Sequence, residues 1–281
     1  MIVVTGATGN IGRPLVAALA QAGEEVVAVS RSAQPAGLPG GVRVAQADLG
    51  NFASIAPVLE GADAFFILLA GELNGPGEAA TNLLDIAKRA GVKRVVLVSS
   101  QLSGTRSDTP SHNRLREFEA AVRASGLEYT ILRPGGFASN AYAWSESVRT
   151  NRTVFSPFAD VALPVIDPAD IADVAAVVLR EDDHAGQTYV LTGPEAIGPR
   201  RQAEMIAEVL GEDVTFVELS REDAHAAMSQ FMPEDVVSGT LDVLGSPLPV
   251  EQQVSPDVHT VLGRPARPFS DWVARNLPAF K

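Results

Sequence analysis

Three glycines near the amino terminus, Gly6, Gly9 and Gly12, stand at a spacing suited to phosphate binding. They lie in Thr5-Gly6-Ala7-Thr8-Gly9-Asn10-Ile11-Gly12, between an apolar run and a segment of helical periodicity. Gly6 allows a tight turn, Gly9 removes a side chain where phosphate must approach the backbone, and Gly12 lets the helix pack close to the strand. Free N–H groups at the helix start would face a pyrophosphate, helped by the helix dipole. Thr8, Asn10 and Ile11 join the three glycines as expected cofactor-binding residues. The motif alone is weak, and a Gly-rich turn without a ligand is the competing reading. Its place after an apolar strand and before an amphipathic helix favours a dinucleotide.

The end of the second strand decides which dinucleotide. An NAD site places Asp or Glu there to accept from the ribose 2′-hydroxyl. This chain has Ser30-Arg31-Ser32. Arg31 can make a bidentate contact with a 2′-phosphate, and Ser30 or Ser32 can donate to it. Arg13, just inside the first helix, is placed to help. NADP(H) is therefore the preferred cofactor and NAD(H) the alternative. The competing reading makes Arg31 a solvated loop arginine. Asp48 and Leu49, after the third strand, fall where the adenine edge should lie, and a turn-capping role for Asp48 stays open.

The elements that must hold these residues follow from composition and periodicity. The chain has 281 residues, 46% of them apolar and 20% charged, enough for a sizeable core. It has no cysteine, which excludes disulfides, thiolate metal sites and thiol nucleophiles. A net charge of -12 disfavours nucleic acid and anionic membranes as partners. No targeting segment is visible and no apolar stretch is long enough to span a bilayer, so a cytoplasmic protein is expected. Strand runs at 2–4, 25–30, 42–45, 64–69, 94–99 and 129–132 alternate with helical patterns at 12–22, 55–59, 78–90 and 115–125. The run 64–69 (AFFILL) is continuous, as for a strand covered on both faces. This alternation predicts an α/β fold, a Rossmann-type doubly wound parallel sheet with a smaller, mostly helical C-terminal lobe. The dinucleotide-binding domain is expected over 1–155 with sheet-completing segments from 156–192, and the substrate-side lobe over 193–281. No histidine pair has metal-ligand spacing on one helix, so no metal is expected.

The segments TGATGNIG, VSRS, ADL, VVLVSS and TILRPGGF resemble the atypical short-chain dehydrogenase/reductase superfamily. PVIDPADIADVAAVVL and YVLTGPE resemble its NmrA-like branch, which includes type-2 quinone oxidoreductases. The resemblance covers most of the chain and is weakest after about Glu222. It implies a substrate cleft between the Rossmann domain and the lobe. It places Leu69, Ala70 and Gly71 beside the cofactor ribose. Ser99, Ser100 and Gln101 fall near the nicotinamide, and Pro134, Gly135, Gly136 and Phe137 beside it. Gln101, Asn140, Tyr142 and Trp144 are the substrate-pocket candidates, although an aromatic pair there also suits a core.

Many members of the superfamily use a Tyr-x-x-x-Lys pair, the lysine lowering the tyrosine pKa for proton exchange with the substrate. This chain departs from that pattern. Its tyrosines are Tyr129, Tyr142 and Tyr189, its lysines Lys88, Lys93 and Lys281, and no Tyr lies four residues before a Lys. His112 occupies roughly the tyrosine slot and Arg116 the lysine slot. Either His112 is a substitute proton donor or substrate-orienting group, or it is a surface residue at a helix start. Glu119 could point to the cleft, but a solvated position is the expectation. Asp167 reads as a helix N-cap with Pro168 at the first helical position. Phe231 and Met232 suit an apolar lid or, more simply, lobe packing.

The leading expectation is an NADP(H)-dependent oxidoreductase reducing a small apolar acceptor, a quinone, enone or carbonyl compound, by hydride transfer. A non-catalytic NADP(H)-sensing regulator and an isomerase or epimerase that retains its cofactor are the alternatives. A homo-oligomer is left open.

Overall fold

The computed structural model describes residues 1–69 and 71–281. Its first half alternates β1 (Ile2–Val4), α1 (Gly12–Gln21), β2 (Val26–Ser30), β3 (Arg43–Gln46), α2 (Phe52–Leu59), β4 (Ala64–Leu68) and α3 (Ala80–Arg89). Then come β5 (Arg94–Val98), the short α4 (Gln101–Thr105), α5 (Asn113–Ala124) and β6 (Glu128–Pro134). The second half comprises α6 (Ser145–Asn151), β7 (Thr153–Pro157), α7 (Pro168–Arg180), β8 (Thr188–Leu191) and α8 (Pro199–Leu210). It ends with β9 (Thr215–Leu219), α9 (Arg221–Met228), α10 (Glu234–Gly245), α11 (Asp257–Leu262) and α12 (Phe269–Asn276).

Seven strands form one parallel sheet in the order β3-β2-β1-β4-β5-β6-β8. The expected doubly wound architecture is present. Strands β1, β2, β4 and β5 are short, mostly apolar runs buried along nearly their whole length, as inner parallel strands are. Successive residues of β4 serve opposite layers: Phe66 packs under α1 and α7 with Leu15 and Val174, whereas Phe65 packs with Leu83 and Phe118 of α3 and α5. The strand order reverses between β1 and β4, which opens a crevice at their carboxyl ends.

The lobe is built on a separate parallel pair, β7 with β9, in the register Phe155↔Val217. Its core gathers Val148, Val154, Ile206, Phe269, Trp272 and Phe280. Residue 155 lies inside β7, which among the described residues pairs with β9. The chain also returns: α11 packs against α7 and β8.

Acidic residues of α7 clamp the tail. Asp167 caps the helix, its Oδ1 accepting from the Ala169 N–H at 2.9 Å, and its other oxygen pairs with Arg275. The N-cap reading of Asp167 with Pro168 at the first position is observed. Asp170 is 0% exposed, pairs with Arg267, and lies 2.9 Å from Arg264 Nη2. Among the described residues no helix is long and apolar enough to cross a membrane.

Candidate active site

The glycine turn joins β1 to α1 at the point of strand-order reversal. Gly6 has φ +64°, and a Cβ there would lie 2.8 Å from Leu68 Cδ2 at the end of β4. Thr5, which sequence reasoning passed over, stitches the two strands: its Oγ1 donates to the Phe66 carbonyl at 2.9 Å and accepts from the Leu68 N–H at 3.0 Å. A Cβ at Gly12 would strike the Gly6 carbonyl and come within 2.6 Å of the Ala7 Cα. Gly9 differs, because a Cβ there would meet only the Gly6 oxygen, at an ordinary 3.4 Å. The fold does not forbid a side chain at Gly9.

Helix α1 begins with no side-chain cap and no acid in its first turn. Among the described residues, the N–H groups of Asn10, Ile11 and Gly12 have no acceptor. Such an opening fits a pyrophosphate. Beside it lie the exposed Arg31 and Arg13, whose guanidiniums have no carboxylate or hydrogen-bond partner among the described residues. Ser30 Oγ accepts from the Ser32 N–H at 3.1 Å, which leaves its own hydrogen free to donate. In a chain of net charge -12 with many paired arginines, two open cations beside a phosphate turn fit a phosphorylated ribose.

Asp48 is exposed, and its Oδ1 accepts from the Gly50 N–H at 2.9 Å, which is the turn-capping geometry. Its second oxygen remains open. Leu49 and Leu69 have side chains in the core under α2 and α3, so only their backbones can face a ligand. Ala70 lies outside the described residues. Pro134 is buried at the end of β6. Phe137 packs against the sheet core and bridges Ile166.

The expectation that Glu119 is solvated is overturned: it is 5% exposed beneath the ends of β5 and β6. Ser99 Oγ donates to its Oε1 at 2.6 Å, Arg133 Nε to the same oxygen at 2.9 Å, and Arg133 Nη2 to Oε2 at 2.6 Å. Burial pushes the carboxyl upward, but donation from Arg133 and Ser99 outweighs it and holds Glu119 below its usual range. A Cβ at Gly104 would run into the Arg133 guanidinium, so that glycine makes room for the pair. The Ser99 hydroxyl is thus turned into the protein. Ser100 caps α4 and Gln101 is buried next to Gly135.

His112 ends a 3₁₀ turn before α5 and is half-buried where that turn meets α10. Its Nδ1 lies 3.0 Å from Ser111 Oγ. Burial, and then the nearby Arg116 charge, lower its pKa from the ordinary 6.5. The imidazole is therefore neutral at neutral pH. Arg116 donates to the Arg106 and Thr109 carbonyls at 3.1 and 2.6 Å and to Asn113 Oδ1 at 2.6 Å. It fastens a loop.

The other pocket candidates disperse. Tyr142 donates to Asn276 Oδ1 at 2.5 Å and stacks edge-on to Trp272, with ring centres 4.9 Å apart. Trp144 packs against the lobe core and Asn140 is exposed. Met232 packs in the lobe, whereas Phe231 is 85% exposed. Two surface hollows of about 370 and 350 Å³ lie elsewhere, at the start of α8 and beside Gly40–Arg43, and their charged rims do not touch the glycine turn. Among the described residues, no group of three or more acidic or histidine side chains is arranged to hold a metal ion.

A sequence profile of the NAD(P)H-binding family matches residues 6–182. A (4-alkanoyl-5-oxo-2,5-dihydrofuran-3-yl)methyl phosphate reductase of Streptomyces griseus is 34% identical over 100% of this chain and 99% of its own. An NAD(P)H azoreductase of Xenophilus azovorans is 29% identical over 100% and 99%. The crystal structure of the NADPH-dependent quinone oxidoreductase QOR2 of Escherichia coli, complexed with NADPH, superposes with a TM-score of 0.81 at 27% identity, covering 99% of this chain and 100% of that one. With the glycine turn at the strand-order reversal, these matches show that the chain belongs to the NAD(P)H-binding family.

Proposed function

We propose that this protein is an NADPH-dependent reductase that passes hydride to a small, neutral, conjugated acceptor such as a quinone or enone. The observation that carries the reading is the open phosphate turn, with Arg13 and Arg31 beside it unpartnered among the described residues, joined to a segment that has no Tyr-Lys pair. The bound dinucleotide supplies the hydride. The N–H groups of Asn10 to Gly12 hold its pyrophosphate, Arg31 with Arg13 and Ser30 its 2′-phosphate, and Asp48 the adenine side. The backbones of Leu69, Ser99 and Pro134, with Phe137, border the nicotinamide end, which is where ligands sit in such sheets.

A neutral His112 orients an acceptor oxygen and does not serve as the charged acid. Reduction of a quinone adds a hydride and a proton, and a hydroquinone oxygen can take that proton from water. The missing Tyr-Lys pair is thus tolerable for this class of acceptor, whereas it would be costly for a simple ketone. The substrates named in the three relatives, a quinone, an azo compound and an alkanoyl dihydrofuranone bearing a methyl phosphate, share a conjugated electron-poor π-system, and the last carries an anionic group besides. Steady-state NADPH oxidation against a panel of quinones, enones and simple ketones tests the reading. Quinones or enones should be turned over and ketones should not. No oxidation above background with any of them rejects the reductase and leaves the nucleotide-sensing alternative.

A further inference from the structure

Between α10 and α11 the chain crosses the carboxyl side of the sheet as a strap, residues 246–256. Its partners lie at successive strand ends. Gln101 Nε2, just after β5, is 3.5 Å from the Val250 carbonyl. Gln252 Nε2 donates to the Ala162 carbonyl at 3.2 Å, and the Ser255 N–H to Thr192 Oγ1 at 2.9 Å, just past β8. Gln101 also abuts Gly135 after β6, where a Cβ would lie 3.2 Å from its Oε1. The strap therefore borders the end of the crevice farther from the glycine turn.

This strap is inverted relative to an ordinary surface turn. Its acid, Glu251, is 1% exposed, while its apolar neighbours Leu248 and Val250 are 39% and 49% exposed. Acids belong outside and aliphatic side chains inside unless something else covers or pairs them. The carboxylate is paired. Arg106 Nε and Nη2 donate to its two oxygens at 2.8 Å each, Thr105 Oγ1 at 2.7 Å and the Leu248 N–H at 2.9 Å. Burial pushes the Glu251 carboxyl up, yet the Arg106 contact outweighs it and holds the group below its usual range. Arg106 Nη2 also donates to the Ser246 carbonyl at 2.9 Å. A bidentate pair removed from solvent fixes geometry, and here it ties the strap to α4, the helix that begins with Gln101. The aliphatic side chains that this tie leaves open belong to a strap whose Val250 carbonyl meets Gln101 just past β5, where an apolar ligand in the crevice could cover them.

We propose that Leu248 and Val250 determine acceptor specificity by covering the apolar part of the acceptor, and that Glu251 is the positioning residue that latches them to α4 through Arg106. The inference rests on the reading of the crevice as the site of a neutral acceptor. A bulky alkyl substituent on a quinone is the chemistry this wall recognises.

Equilibrium dialysis in the presence of NADP⁺ tests it, with a decyl-substituted benzoquinone and its methyl counterpart as probes, alongside steady-state kinetics. Wild-type protein should hold the decyl compound at least ~10-fold more tightly, the scale on which apolar walls discriminate. The double variant Leu248→Ser/Val250→Ser should lose most of that preference and keep its NADPH affinity. Glu251→Gln should raise acceptor KM several-fold for both quinones, with kcat and NADPH KM near wild type, a split that general loss of stability does not produce. Arg106→Lys, which keeps the charge but not the fork, should fall between. A double variant that retains the decyl preference overturns the specificity assignment. A Glu251→Gln protein with a lower melting temperature but unchanged acceptor KM overturns the latch. Wild-type protein that binds the decyl quinone selectively without oxidising NADPH would reject the reductase reading and still support the wall, so the two failures are distinct.

Discussion

At the scale of single residues, cofactor choice rests on Arg31. Its guanidinium is exposed and without a partner among the described residues, so its removal costs the folded chain little. Arg31→Asp should weaken NADPH binding ~10- to 100-fold relative to NADH, the worth of one or two charge-assisted hydrogen bonds. Titration of both cofactors by calorimetry checks this, and an unchanged ratio would move the 2′-phosphate elsewhere. His112 makes a prediction in pH. Its folded pKa lies below the ordinary 6.5, so on acidification the unfolded chain takes up the proton first. Stability therefore falls as pH drops through about 6.5, the unfolded value. His112→Gln should remove that part of the loss: melting curves of the two proteins should run parallel above pH ~7 and diverge below pH ~6, with the wild type losing more. Parallel curves throughout would mean that the ring is solvated.

At the scale of elements, the glycine turn separates a structural from a functional glycine. Gly12→Ala cannot be accommodated without shifting the Gly6 carbonyl and Ala7, so both melting temperature and NADPH binding should fall. Gly9→Ala meets only an ordinary contact with the Gly6 oxygen. It should keep its melting temperature within ~2 °C, as surface substitutions do, and still weaken NADPH binding ~10-fold or more. Equal damage from both would deny Gly9 a ligand-facing role. The turn and the strands around it were legible because each is a local pattern: β-branched runs, a helix start, glycines at fixed offsets. Glu119 was not. Its partners Ser99 and Arg133 lie 20 and 14 residues away, one just past β5 and the other on β6, and nothing near Glu119 in sequence marks it as buried. Helix α10 also escaped notice. Its sequence EDVVSGTLDVLG carries three valines, Ser, Thr and an internal Gly, and buries only Val237 and Leu241, so it has little helical signature before packing.

At the scale of the whole molecule, the lobe is held to the sheet domain by ion pairs that span about a hundred residues of chain. Asp167, Asp170 and Asp173 on α7 meet Arg264, Arg267 and Arg275. Sequence alone exposed the α7 cap but not these partners, because pairing at such range leaves no periodic trace. The same distance hid the union of β7 with β9. Asp170→Ala takes the buried partner from Arg264 and Arg267 and leaves them only the half-buried Asp173, and breaking a buried pair costs about 3 kcal/mol. The melting temperature followed by tryptophan fluorescence, with Trp272 in the clamped helix α12, should fall by roughly 6–10 °C. A shift under ~1 °C would show that the clamp is not holding the lobe. The central claim, hydride transfer from NADPH held on the glycine turn to a conjugated acceptor, is tested most directly by a single turnover. Protein saturated with NADPH is mixed with excess naphthoquinone and the near-ultraviolet absorbance of the cofactor is followed. The expected result is a decay that saturates with quinone and slows when the transferred hydrogen of NADPH is deuterium. Tightly bound NADPH whose absorbance persists with every quinone and enone offered would contradict it.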